Sequence, residues 1–453
     1  MIAFALVLAM AAYTSVGLSV QEQVPAGLPG YAGGLGLLYL LAHLVVRWLA
    51  PYADPLILPC VALLNGLGLA LIHRLDLAEA ERAVQLGREL PNADAPSQLA
   101  WTTLGVVLFV SVLVVVRDHA TLQRYTYTAG FGALVLLLLP LVPGVGVEIN
   151  GARIWLRVAG FSVQPGEFAK LALAVFFAGY LVAKRDVLAL ASRRFAGIDL
   201  PRGRDLGPVV VAWMASLGVL VLQRDLGTSL LYFGLFIVVL YVATERTSWL
   251  LIGLGLFLAG SYAAYLTVAR VQQRVGIWLD PFEDAAGSGY QVVQSLFGLG
   301  TGGLFGTGLG QGRPEIVPYA KTDFIIATLG EELGLIGVMA VLVIYALLVE
   351  RGLRTALGVR DSFGKLLAAG LSFSLALQVF TVVGGATRLV PLTGLTLPFL
   401  SYGGSSLVAN YALVALLLRI SDVARRPRPG LVTPGGPAAR TGEMEAVTQV
   451  IRR

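Results

Sequence analysis

Long apolar runs separated by short polar connections repeat along most of the chain. They predict about twelve membrane-crossing helices, at residues 2–19, 31–49, 56–73, 99–116, 128–142, 167–183, 207–223, 228–243, 248–268, 324–349, 364–387 and 397–420, since a helix needs roughly 20 apolar residues to cross a bilayer. Lipid offers backbone groups no hydrogen-bond partner, so spanning segments are helices or closed barrels. These runs are too long and too unbroken for the alternation of barrel strands. The fifth is short and interrupted by Pro140. The expected fold is therefore an all-α polytopic membrane protein.

Composition agrees. The 453 residues are 57% hydrophobic and 13% charged, with mean hydropathy +0.78, whereas soluble domains carry about 25% charged residues. Lys and Arg gather in the connections after even-numbered runs (Arg117 and Arg124; Lys184, Arg185, Arg193 and Arg194; Arg351, Arg354 and Arg360) and in the tail. Basic short loops mark the cytoplasmic side, which places both termini there. The formal charge of +6 follows from this distribution and does not point to nucleic acid. Cys60 is the single cysteine, so no disulfide can form within the chain, and His43, His73 and His119 lack zinc-type spacing. The chain divides into an N-terminal membrane segment (1–98), a membrane core (99–421) and a tail (422–453) rich in Pro, Gly and Arg that is expected to be disordered.

One long polar interval, residues 270–328, interrupts the C-terminal part. It opens on Gln272-Gln273-Arg274, passes through a glycine-dense run from Gly298 to Gly312, and ends at Lys321-Thr322-Asp323. Other polar clusters stand at span ends on the same predicted side: Asn150 to Trp155, Gln164 to Lys170, Gln223 to Thr228, and Leu397 to Ser406. Their shared side predicts one outward-facing site. Each also has a plainer explanation. Glu167 and Lys170 suit a pair on one helical face. Asp225 and Thr228 suit a helix cap, and so does Asp323, for which capping is the simpler explanation from residue type alone. Trp155 suits an interfacial anchor. Gly298 to Gly303 fits G-x-G-x-x-G without the preceding strand of a nucleotide site. Tight re-entrant backbone or close helix packing explains those glycines better. Pro398 predicts a bent final helix whose freed backbone groups line a cavity, with Ser401 and Ser405 in its outer part.

Taken together, the motifs resemble the SEDS family, whose members include RodA, FtsW and SpoVE. They are Gln164-Pro165-x-Glu167-x-x-Lys170, Gln223-x-Asp225-Leu226-Gly227-Thr228, Gly289-Tyr290-Gln291-x-x-Gln294-Ser295, Thr322-Asp323-Phe324-Ile325, Gly330-Glu331-Glu332-Leu333-Gly334 and Leu397-Pro398-x-x-Ser401-x-Gly403-Gly404-Ser405-Ser406. The resemblance implies a ten-span core, here with two extra N-terminal spans as in the long actinobacterial branch. It implies a peptidoglycan glycosyltransferase that polymerises lipid II outside the membrane and works with a class B penicillin-binding protein. Asp323 matches the family's essential aspartate and suits a general base. Trp155, Glu167, Lys170, Asp225, Ser401 and Ser405 match positions around the substrate cavity, with Lys170, held by Glu167, the best-placed cation for the leaving pyrophosphate. A divalent cation, Mg or Mn, is the alternative neutralising group.

The chain departs from the family pattern at Lys321, where a His is usual, at Arg224, where a Pro is usual, and at Ser162-Val163, where an Arg often precedes the Gln-Pro pair. The loss of that Arg leaves the cation assignment open, with Arg153 and Arg224 as possible substitutes. The loop at residues 300–312 resembles the branch that serves cell elongation more than the division branch. Two other functions compete: a lipid II flippase of similar architecture, and a scaffold for a transpeptidase.

Overall fold

The computed structural model describes residues 1–427, apart from residues 150–151, 159, 191, 196–197, 202–206, 208–209, 212, 216, 219–220, 222 and 224. Helices dominate: α1 (Ile2–Gln21), α2 (Leu28–Leu49), α3 (Ile57–Gln85), α4 (Ala95–Val115), α5 (Thr126–Leu138), α6 (Pro165–Leu190), α7 (Leu226–Thr244), α8 (Ser248–Thr267), α9 (Ala269–Leu279), α10 (Tyr290–Gly302), α11 (Ile325–Gly358), α12 (Ser362–Ala386) and α13 (Gly404–Arg425). Eleven segments among the described residues are long and apolar enough to cross a membrane. They correspond to the expected spans except the seventh, at 207–223, of whose 17 residues 7 lie outside the described residues. The tail beyond residue 427 lies outside them too.

Burial shows which helices form the centre. The spanning window of α13 is 89% buried and that of α3 78%, against 6% for α8. Apolar faces of peripheral helices such as α8 have only lipid to meet. The helices begin where sequence chemistry allows. Pro29 and Pro96 stand in the first turns of α2 and α4, where a missing N–H costs nothing. Asp361 caps α12 by accepting from the Gly364 N–H at 2.6 Å.

Three features differ from the sequence expectation. First, a small antiparallel sheet joins α5 to α6: β1 (Gly146–Ile149), β2 (Ala152–Val158) and β3 (Phe161–Val163), with Val147 opposite Trp155 and Leu156 opposite Val163. Ile154 and Trp155 supply β-branched and aromatic side chains suited to a strand, and the sheet lies between two spanning segments. A second two-stranded ribbon, β4 (Ser192–Phe195) and β5 (Ile198–Pro201), follows α6. Second, the polar interval 270–328 contains two helices, the amphipathic α9 and α10. Third, the last helix starts at Gly404 rather than near residue 397. Phe399 has φ 67°, a left-handed value that ends regular structure, so residues 397–402, Ser401 among them, form a turn before the helix.

The glycine-dense run packs against a kink in α11. Gly334 has φ 68° there, and a side chain on it would meet Gly306 N at 2.3 Å and Leu304 O at 2.5 Å. The loop satisfies the backbone groups freed by the kink. Leu335 N donates to Gly303 O (2.9 Å) and Ile336 N to Leu304 O (3.1 Å), while Thr307 N and Gly308 N donate to Glu331 O and Glu332 O at 2.9 Å each. Gly298–Gly302 itself lies inside α10, whose own turns engage its N–H groups, which rules out the nucleotide-loop reading, while the bonds of residues 303–308 to α11 support re-entrant backbone with close packing. Glu331 and Glu332 belong to the same device. Glu331 accepts from Arg313 N (2.6 Å), and Glu332 pairs with Arg74 of α3 at 2.8 Å.

Candidate active site

The predicted polar clusters meet at one end of the bundle. Three are joined through buried side chains. Lys170 Nζ, 2% exposed, lies 2.9 Å from Glu167 Oε2 and donates to Gln378 Oε1 of α12 at 2.9 Å. Gln378 Nε2 donates onward to Thr396 O at 2.9 Å. Ser405 Oγ accepts from Gln164 N at 2.8 Å, tying the start of α13 to the start of α6. Glu167 holds Lys170 as expected, and the enclosed ammonium also binds α6 to α12 through Gln378.

Asp225 does cap α7: its Oδ1 accepts from Thr228 N at 3.0 Å, and its Oδ2 faces Gln164 Nε2 at 3.4 Å. Burial pushes its carboxyl up from the ordinary aspartate value; the Thr228 hydrogen bonds and Arg274 oppose that, while Glu167 adds to it. Gly227 lets this turn approach closely, since a side chain there would meet Thr393 O at 2.7 Å. Ser401 Oγ accepts from Leu397 N (3.0 Å) and donates to Thr322 O (2.6 Å), so it holds the chain just before Asp323. Trp155 sits partly buried in mid-strand and, among the described residues, makes no side-chain hydrogen bond. Asn150, Gly151 and Arg224 lie outside the described residues. Arg153 is exposed on β2.

Asp323 does not cap α11. The residue in the cap position is Phe324, and no side chain accepts from the first turn. The carboxyl is instead partly buried, and burial raises it to about 6, against the opposing pull of the Thr322 hydroxyl and the Arg274 guanidinium. Arg274 was visible in the sequence as part of a polar triplet but was assigned no role. It projects from α9 and is anchored by donating to Thr393 O at 3.2 Å; burial and Arg270 push its guanidinium down from the ordinary arginine value, and Asp225 and Asp323 oppose that. Gly394, with φ +77°, lies between the two groups. A side chain built there would stand 3.6 Å from an Arg274 terminal nitrogen and 3.8 Å from Asp323 Oδ2. Both atoms therefore face the same small space, kept open by a glycine. A buried carboxylate beside a guanidinium can take a proton from one group and stabilise negative charge on another.

For a metal, the one group of three carboxylates identified among the described residues is Asp76, Glu79 and Asp94, whose oxygens lie within 4.8 Å of one another. Its centre already holds a cation, the Lys321 ammonium, at 2.7, 2.7 and 2.9 Å. That donor set does not fit a divalent ion while Lys321 is present.

Comparison with known proteins places the chain in a family and supports its fold. The chain is 54% identical over 428 residues, 94% of its own length and 90% of the relative's, to the peptidoglycan glycosyltransferase RodA of Mycobacterium tuberculosis. A solved structure of a peptidoglycan synthase complex, in which polymerization and crosslinking are coordinated, shares 31% identity and a TM-score of 0.58, covering 78% of this chain and 96% of that one. A variant of the Thermus thermophilus rod shape determining protein RodA shares 26% identity and a TM-score of 0.56, covering 83% and 99%. Residues 55–426, which include every side chain of the site, match the cell cycle protein family of FtsW, RodA and SpoVE, and the chain belongs to that family.

Proposed function

We propose that this chain is a peptidoglycan glycosyltransferase that polymerises lipid II at the outer face of the cytoplasmic membrane and serves cell elongation. The observation that carries the reading is the Asp323–Arg274 pair facing one small space. The acceptor sugar's 4-hydroxyl oxygen attacks the anomeric carbon of the lipid-linked donor. A new glycosidic C–O bond forms as the bond from that carbon to the pyrophosphate oxygen breaks. Asp323 takes the hydroxyl proton, a role worth about 10²–10⁴-fold. Undecaprenyl pyrophosphate leaves with the bonding electrons, and Arg274 is the side chain placed to meet its charge.

The basic connections after even-numbered spans support cytoplasmic termini and an outward-facing Asp323 end. A class B penicillin-binding protein is the expected partner, in keeping with the pairing of polymerization and crosslinking in the synthase-complex neighbour.

The test uses purified full-length chain, its transpeptidase partner and lipid II, with products resolved by glycan chain length. Native chain should make polymer. Asp323→Asn should lose about 10²-fold or more with its melting temperature and partner binding unchanged. Polymer from both would remove Asp323 from the chemistry. Lipid II translocation without polymer would favour the flippase.

A further inference from the structure

Lys321 stands two residues before Asp323, and its side chain points away from the site. Its ammonium meets Asp76 Oδ1 (2.7 Å), Glu79 Oε2 (2.7 Å) and Asp94 Oδ2 (2.9 Å), one carboxylate for each of its three N–H bonds. The side chain is 9% exposed. Asp76 and Glu79 lie in the last turns of α3, and Asp94 immediately precedes α4. Asp76 also accepts from Asp94 N (3.0 Å) and Ala95 N (2.8 Å), so it caps α4 while it holds Lys321.

The main chain is tied from the other side. Lys321 O accepts from Tyr402 N at 2.7 Å and Thr322 O from Ser401 Oγ at 2.6 Å. Gln98, in the first turn of α4, donates to Ser401 O at 3.1 Å and accepts from Gly403 N at 3.4 Å. The circuit starts and ends on α4, and residues 321–322 are held within it. Asp323 follows directly and has no helix-cap contact of its own.

We infer that Lys321 is a positioning residue for the reaction: the carboxylates at the α3–α4 tip grip its ammonium and thereby fix the backbone that presents Asp323. This rests on the reading of Asp323 as the base. Displacement of a reacting group by about 1 Å can cost about 10²-fold in rate, so such a grip acts on turnover more than on substrate binding.

The test compares full-length native chain, Lys321→Ala and Glu79→Gln. Amide exchange in residues 322–324 and at Tyr402 should accelerate about tenfold in Lys321→Ala, while exchange in α12 stays native. The kcat for lipid II polymerisation should fall about tenfold or more with KM within about twofold. The alanine empties a site lined by three carboxylates. Added Ca²⁺ should fill it and restore part of both readouts, while native chain does not change. Glu79→Gln neutralises one of the three carboxylates at a partly exposed position, so it should fold normally and shift both readouts less, in the same direction.

Unchanged exchange in Lys321→Ala would overturn the inference, as would a change confined to KM. If Lys321→Ala does not fold, native behaviour of Glu79→Gln in both readouts overturns it equally. If native chain makes no polymer, the functional reading fails, and exchange at 322–324 still decides whether Lys321 holds this backbone.

Discussion

The two ends of the helix bundle use charge differently. At the end away from Asp323, Asp54 is fully buried. It pairs with Arg425, lies 3.9 Å from Arg351, and donates its backbone N–H to Ser421 Oγ at 3.0 Å. Asp422, buried beside it, accepts from Tyr52 N at 2.9 Å and from Arg426 at 2.6 Å. His119 closes on Asp361 at 2.8 Å. The Asp54 and Asp422 contacts join the start of α3 to the end of α13. At the other end the braces exist too, in Lys170–Glu167–Gln378 and in Lys321 with its three carboxylates. Between them, however, Asp323 and Arg274 face a space that a glycine leaves clear. Engaged charges at one end indicate architecture, and the pair left facing a gap indicates chemistry.

That contrast can be broken by substitution. Asp54→Asn should cost about 1.5–3 kcal/mol of stability, because it weakens the charged contacts to Arg425 and Arg351, both of which stay partly exposed to water. Polymerisation per folded molecule should stay native, as checked by thermal melting alongside turnover normalised to folded protein. Turnover falling further than the folded fraction would mean that the two ends are coupled. Arg274→Met should have a smaller effect and the opposite signature: melting close to native, with polymerisation down about tenfold at neutral pH. A native rate would leave the leaving group's cation to another residue, Arg153 or Arg224.

The membrane topology was legible because lipid permits few backbone solutions. Each spanning run had to be a helix, and eleven of them are found among the described residues. The site was legible as a set of clusters but not as a constellation. Asp225 reads correctly as a cap because capping is local. Asp323 misleads by the same local logic: it precedes a helix without capping it, since burial and Arg274 draw its carboxyl elsewhere. Arg274 could not be read, because its partners Thr393 and Gly394 lie 119 and 120 positions away in the chain and the contact exists only once α9 folds back. Lys321 appeared only as a departure from the family pattern. Its partners in α3 and just before α4 are remote in sequence, more than two hundred positions away. Residues 397–402 looked like helix because they are apolar, yet the Pro398-Phe399 turn stops the helix until Gly404. The sheet at β1–β3 was passed over because a short run of strand-forming residues between two spanning segments is a weak signal beside them.

The most direct test of the site is the pH dependence of lipid II polymerisation at substrate well below KM, where kcat/KM reports the ionisation of the free enzyme. Asp323 must be ionised to accept the hydroxyl proton, and its burial sets that ionisation at about 6. Native kcat/KM should therefore rise with pH along an acid limb with its midpoint near 6 and level off above it. Arg274 holds the carboxyl down, so in Arg274→Met the same limb should move to higher pH. A native rate that stays flat through this range, or a limb that Arg274→Met leaves in place, would contradict the assignment of Asp323 and Arg274 to one site.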